Sequence, residues 1–173
     1  MHALPFSRGI CGALLVLGSL AVPALAEETA AEPEVLPWSD LLPEGWAPSA
    51  PDMSSFFHDS TAPATGQVTG DAPVVEALHD RLLSLEGWLV PLEIERAERY
   101  HEFLLVPYFG ACYHVPPPPP NQIVHLFVEE GVAHDDLWDP QRVTGRLRVE
   151  SQVTELASAA YRMVDATSTT LEW

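Results

Sequence analysis

The chain has 173 residues, 25 acids against eight arginines and no lysine, and a formal net charge of −17. Nucleic acid and anionic lipid would repel it, so both are excluded as partners; cations and basic protein surfaces are its electrostatic counterparts, and the same acidity also serves simple solubility. Two cysteines exclude a disulfide-stapled scaffold, and the length fits one ordinary domain behind a short leader.

The first residues carry an export pattern. Arg8 supplies a positive start, and residues 10–22 form an apolar run broken only by small residues. Ala24, Leu25 and Ala26 form a small-x-small cleavage site, with Glu27 and Glu28 just beyond. The run is too short for a spanning helix, which needs about 20 apolar residues. Cys11 precedes the apolar core rather than closing it, so it does not read as a lipid-attachment site. We expect cleavage after Ala26, a periplasmic location and no membrane insertion afterwards. Cys112 is then the sole thiol. No internal disulfide can form, and this cysteine must be buried, metal-bound or used.

Residues 27–34 are acidic and aperiodic and read as a disordered arm. Residues 35–48, "VLPWSDLLPEGWAP", are too apolar for a free tail. Trp38, Leu41, Leu42 and Trp46 are expected to anchor this stretch on the domain surface; a docking peptide for a partner is the alternative. Residues 49–70 are rich in Ser, Thr, Pro, Ala and Gly, which marks a linker, interrupted by Phe56, Phe57 and His58. The extended segment and linker thus occupy residues 35–70, and the folded domain residues 71–173.

Asp71 is placed to cap a short helix with Pro73 in its first turn and Val74, Val75 and Leu78 on one face. "RLLSLEGWLVPLEIE", from Arg81, reads as a long strand kinked at Gly87. A helix through Leu85 competes on spacing, but Pro91 opposes helix beyond Trp88. "ERAERYHE" is polar and turn-like, and "EFLLVPYF" from Glu102 is the second strand. Residues 122–128, "QIVHLFV", form the third, with Gly131 in the turn beyond. In residues 141–150, Val143, Gly145, Leu147 and Val149 alternate with Arg142, Thr144, Arg146 and Arg148, a half-buried strand with a basic outer face. Residues 159–164 and 167–173 supply a last strand or hairpin. These elements predict an all-β fold, a small OB-like antiparallel barrel of about five strands with one short helix and an extended N-terminal arm. A sandwich of similar size would show the same strand count.

The blocks "LPWSDLLPEGW", "LEGWLVPLE", "FLLVPYFGACYHVPPPPPNQIV", "VTGRLRVE" and "AAYRM", in this order, resemble the bacterial family DUF3299, which is built around the string P-Y-F-G-A-C-I-H-V-P-P-P-P-P-N-Q. The resemblance spans residues 36–163 without the linker. Tyr113 stands where the family usually has isoleucine, His125 where it has tyrosine, and His79-Asp80 where it has an Asp-Gly turn. Cys112, His114, the prolines, Asn121 and Gln122 are kept. His125 is therefore not carried over as a ligand. The resemblance implies an exported protein without an established activity. By association with neighbouring ABC-transporter components and exported metal-related proteins, it also implies a role in metal traffic at the inner membrane or in the periplasm.

Residues 106–126, "VPYFGACYHVPPPPPNQIVHL", hold the unusual chemistry. If residues 110–115 are extended, Cys112 and His114 share a face. A thiolate and an imidazole so placed can share zinc, at about 2.3 Å and about 2.0 Å respectively, or copper(I). Two ligands do not complete a site; His101, His125, His134, Asp135 and Asp136 are candidates for the others. Cys112, His114 and Asn121 are also the parts of a cysteine hydrolase, but parallel side chains on one strand do not reach across to each other, and no helix start activates the thiol. A redox role lacks a resolving cysteine. The competing reading has no chemistry. Gly110 and Ala111 make a bend, Cys112 fills the core, and His114 bonds a backbone carbonyl or Asn121. Pro116, Pro117, Pro118, Pro119 and Pro120 form a polyproline rod of roughly 15 Å. Asn121 and Gln122 satisfy loose backbone groups, and Tyr108, Phe109 and Tyr113 pack against a rod that offers a partner surface.

The sequence therefore predicts a non-enzymatic periplasmic accessory of an ABC-type zinc or copper transport system, with Cys112 and His114 as candidate metal ligands. The alternative is a periplasmic interaction module that uses the proline rod, without metal or chemistry. In either case the partner is a periplasmic or inner-membrane protein such as a transporter component.

Overall fold

The first strand, β1 (Arg81–Pro91), changes partner at Gly87. Before it, β1 pairs antiparallel with β4 (Gln141–Val153); after it, with β2 (Arg99–Val106). A Cβ on Gly87 would overlap the Val106 carbonyl oxygen, so a residue without a side chain lets the strand bend across both neighbours. The computed structural model describes residues 33–47, 67, 72–93 and 97–172, all within the compact unit Glu32–Trp173. The expected export segment, most of the expected acidic arm and linker, and the expected Asp71 cap lie outside the described residues.

Strands β3 (Val124–Ala133) and β5 (Ser158–Thr170) complete a closed ring in the order β1-β2-β3-β5-β4. The expected OB-like, all-β architecture is present, with one correction. A ring with an odd number of strands cannot alternate direction throughout, and the parallel pairing falls between β3 and β5.

Other expectations change locally. The short helix is a single 3-10 turn, Glu76–Leu78, because the ladder of β1 begins at Arg81 and Val75 before the turn is extended. Further 3-10 turns lie at Trp38–Leu41, Pro120–Gln122 and His134–Trp138, and the described residues contain no α-helix. Gly131 does not end β3: its left-handed backbone, φ +67°, lets the strand continue to Ala133 opposite Arg99. The last strand is one bulged strand rather than a hairpin, with Asp165 left-handed at φ +53°.

Strand β2 is buried on both faces, which explains its unbroken run of apolar residues. Phe103 and Leu105 point into the barrel with Leu83, Leu85, Leu126, Leu147, Tyr161 and Met163. Leu104 and Val106 face outward into a second cluster with Val90, Ala111, Cys112 and Ile123, covered by the chain that follows β2. That covering segment carries the candidate site.

Residues 34–36 take the edge of β1 that β2 does not reach. Leu36 N–H donates to the Ser84 carbonyl, and Ser84 N–H to the Glu34 carbonyl, both at 2.8 Å. Trp38 Nε1 donates to the Glu86 carbonyl at 2.7 Å. Leu41 is wholly buried in the barrel core, and its carbonyl accepts the Tyr161 hydroxyl at 2.8 Å. Of the expected anchors, Leu41 is therefore a core residue of the fold, Trp38 is half-buried and packs against that core, and Leu42 and Trp46 are half-buried.

Candidate binding cleft

Pro107 follows the last residue of β2 and has no N–H to continue the ladder. The chain then turns through two left-handed residues, Gly110 at φ +80° and Cys112 at φ +70°. The Gly110 carbonyl accepts the N–H of His114 at 2.9 Å and of Val115 at 3.2 Å, and Cys112 N–H donates to the Val115 carbonyl at 3.1 Å. These bonds make a compact turn. The expectation of an extended stretch at residues 110–115 is thereby corrected, and with it the shared strand face.

The turn separates Cys112 from His114. Ala111 and Cys112 are buried, whereas Tyr113, His114 and Val115 are exposed. Desolvation by burial pushes the Cys112 thiol up to about 11, away from the thiolate that a metal requires. Burial, with a smaller contribution from Cys112, also raises the Tyr108 and Tyr113 phenols. The three candidate histidines are engaged elsewhere. His125 Nε2 lies 2.8 Å from Glu102 Oε1, His101 Nδ1 lies 3.0 Å from the Val128 carbonyl, and the His134 ring packs on Tyr100. Among the described residues no group of three or more His, Cys, Asp and Glu side chains could hold a metal ion. The donor set around Cys112 does not fit zinc or copper.

The proline stretch lies against the protein. Pro117 and Pro118 are buried, and Pro116, Pro119 and Pro120 are half-buried. Tyr108 donates its hydroxyl to the Pro116 carbonyl at 3.1 Å, and Gln67 Nε2 donates to the Pro118 carbonyl at 3.0 Å. Asn121, fully buried, donates from Nδ2 to the Pro73 carbonyl at 2.9 Å; Gln122 donates from Nε2 to the Trp38 carbonyl at 2.9 Å. The last two residues thus fasten loose backbone as expected. The rod itself is a buttress more than an open surface.

The open apolar surface lies beside it. Phe109 and Trp138 are exposed by 52% and 63%, an unusual state for side chains of that size. Phe109 meets Trp88 edge-on at 6.5 Å and 68°, and Trp138 at 6.2 Å and 46°. The three rings border a cavity of about 180 Å³ with Leu89, Val90 and Ala111 behind them. Tyr113 closes one end by donating its hydroxyl to the Pro91 carbonyl at 3.1 Å. The turn His134–Trp138 supplies further lining through His134 and Leu137. A concave apolar site with aromatic walls and few polar groups is the usual form of a binding site. Phe109, Tyr113 and His114 were legible as candidates. Trp88, Leu137 and Trp138 were not singled out; a bulky tryptophan inside the acidic stretch "HDDLWDP" was the available signal.

Known proteins place the chain in a family. A family model described as "Protein of unknown function (DUF3299)" matches residues 38–170. A crystal structure of a DUF3299 family protein from Pseudomonas aeruginosa PAO1 is similar, with 44% sequence identity and a TM-score of 0.69 over 82% of this chain and 99% of that one. No curated protein matches. With most of its length matched by the family model, and an identity of 44% to a solved member, the chain belongs to the DUF3299 family.

Proposed function

We propose that this protein is an exported, non-enzymatic binding module that holds a partner protein in the cleft between Trp88, Phe109, Tyr113 and Trp138. The observation that carries the reading is the pair of exposed rings, Phe109 and Trp138, set against an apolar cavity on an otherwise strongly acidic chain. The rest of the segment after β2 holds this surface still. The turn at Gly110 and Cys112 aims Phe109 and Tyr113, and the proline stretch with Asn121 and Gln122 fixes the turn to the barrel. A preordered surface of this kind loses little entropy on binding. The export pattern in residues 8–26 supports a partner in the periplasm or at the inner membrane, and the association implied by the family resemblance favours a transporter component. Metal binding at Cys112 and His114 has no comparable support.

The test is site-specific photocross-linking in the exporting cell. A photoreactive phenylalanine analogue at Phe109 or Trp138 is expected to give one discrete adduct, identified by mass spectrometry. The same analogue at the exposed residue Leu82 on β1 serves as control. Identical adducts from both faces, or none from the cleft, would remove the cleft as a docking surface.

A further inference from the structure

We infer that the cleft receives a cationic segment of its partner, an extended peptide with one bulky apolar side chain flanked by arginine or lysine. This inference rests on the cleft being the docking surface. Two acidic hollows adjoin the aromatic cavity. Tyr113 and Pro91 line both the cavity and a hollow of about 490 Å³, which is bordered by Glu93, Glu102 and Glu155. His134 lines both the cavity and a hollow of about 460 Å³, bordered by Glu98 and Asp135. Among the described residues no arginine lines any of the three, and the chain has no lysine. The wide groove between β3 and β5 is different, since Arg99 and Arg162 line it beside its acids.

The acids differ in what they are available for. Glu93 already accepts the main-chain N–H of His101 at 2.9 Å, and Glu102 pairs with His125, so these two shape the rim. Glu98, Asp135 and Glu155 are exposed and face solvent from the loops. A cation arriving over the rings gains twice, from the carboxylates and from the negative faces of the indoles. The cavity admits a single large side chain, and the two hollows that share lining residues with it call for charge flanking that anchor. A second copy of this chain does not fit, because each copy carries −17 and would repel the other.

The test uses the full-length secreted protein and fluorescein-labelled nonapeptides, with the central residue varied through all amino acids. The central residue is flanked by arginine in one set, serine in the second and glutamate in the third. Fluorescence anisotropy is expected to show binding by arginine-flanked peptides with a bulky apolar centre, weakening as salt rises. The serine set should bind about tenfold more weakly and the glutamate set not at all. Trp138→Ala should weaken the arginine set about tenfold, the loss of an aromatic anchor. Glu155→Gln combined with Asp135→Asn should bring the arginine set towards the serine set. Equal binding of the arginine and serine sets would overturn the cationic partner while leaving the cleft in place. Arginine-set binding that ignores Trp138→Ala would overturn both, since the chain would then act only as a diffuse polyanion. Absence of binding by any set would overturn the cationic peptide, and the photocross-link would decide separately whether the cleft docks anything.

Discussion

Gly87 faces the backbone carbonyl of Val106 with no room between them for a side chain. At that contact β1 leaves β4 and joins β2, and Trp88, the next residue, forms a wall of the cleft. Gly87→Ala would push a methyl group into backbone that cannot rotate away. We expect a loss of about 3 kcal/mol in unfolding free energy, the upper part of the range for overpacking. Urea denaturation followed by tryptophan fluorescence measures it; an unchanged midpoint would show that the strands adjust freely.

Tyr161 joins two segments that precede the barrel. Its hydroxyl donates to the Leu41 carbonyl at 2.8 Å and accepts the Val75 N–H at 2.8 Å. Tyr161→Phe keeps the ring and leaves both backbone groups unmatched, at a cost of about 2 kcal/mol. Hydrogen exchange should locate the effect. The amides of Leu36, Leu42 and Val75 are expected to lose protection before those of β3, and a uniform loss would mean that the segment folds only with the whole barrel.

The Cys112 thiol is pushed from 9.0 to about 11 by burial, so the fold holds the neutral form. Below pH 9 the thiol is neutral in the folded and unfolded chains alike, and its contribution is complete. Between pH 9 and about 11 the unfolded chain ionises first, which favours unfolding, and stability falls as pH rises. The decline from pH 8 to 11 should be steeper in the wild-type chain than in Cys112→Ala. The difference reports the thiol together with its smaller effect on the Tyr108 and Tyr113 phenols, and leaves out the raised phenol of Tyr161. Iodoacetamide at pH 8 should label Cys112 only after denaturation.

Zinc competition against a chromogenic chelator addresses the pair of residues most conspicuous in the sequence. Because Cys112 is buried as a thiol and His114 is exposed, Cys112→Ser and His114→Ala are expected to leave zinc affinity unchanged. A drop of about tenfold or more in either variant would restore a shared site.

Much of the barrel could be read from the residues because its rules are local. Gly87 inside an apolar run marked the bend in β1, and the alternation of Val143, Gly145 and Leu147 marked β4. Asn121 and Gln122 were recognisable as fastenings because long amides beside proline have few other uses. The cleft was less legible. Period-two reasoning put Cys112 and His114 together, but it requires extended backbone, and nothing in the residue type announces a cysteine at φ +70°. Composition showed that residues 116–120 are stiff and did not show which side of them meets the barrel. Trp88, Phe109 and Trp138 are far apart along the chain; the pairing of β1 with β2 brings Phe109 towards Trp88, and the pairing of β1 with β4 that closes the ring brings Trp138.

The strap of residues 34–41 also has a consequence in time. Its partners lie far downstream: Ser84 and Glu86 in β1, Gln122 beyond the prolines, and Tyr161 at a sequence distance of 120 residues. Gln67 similarly grips Ser158 through two bonds, at a sequence separation of 91. What leaves the ribosome early is therefore seated late, after β5 has been delivered. Such long-range closure is slow compared with helix formation, and it leaves the emerging chain without a finished fragment that could fold too soon. The export proposed above would thread the chain across a membrane before it folds, and delayed seating would keep that thread pliable until its far end had arrived.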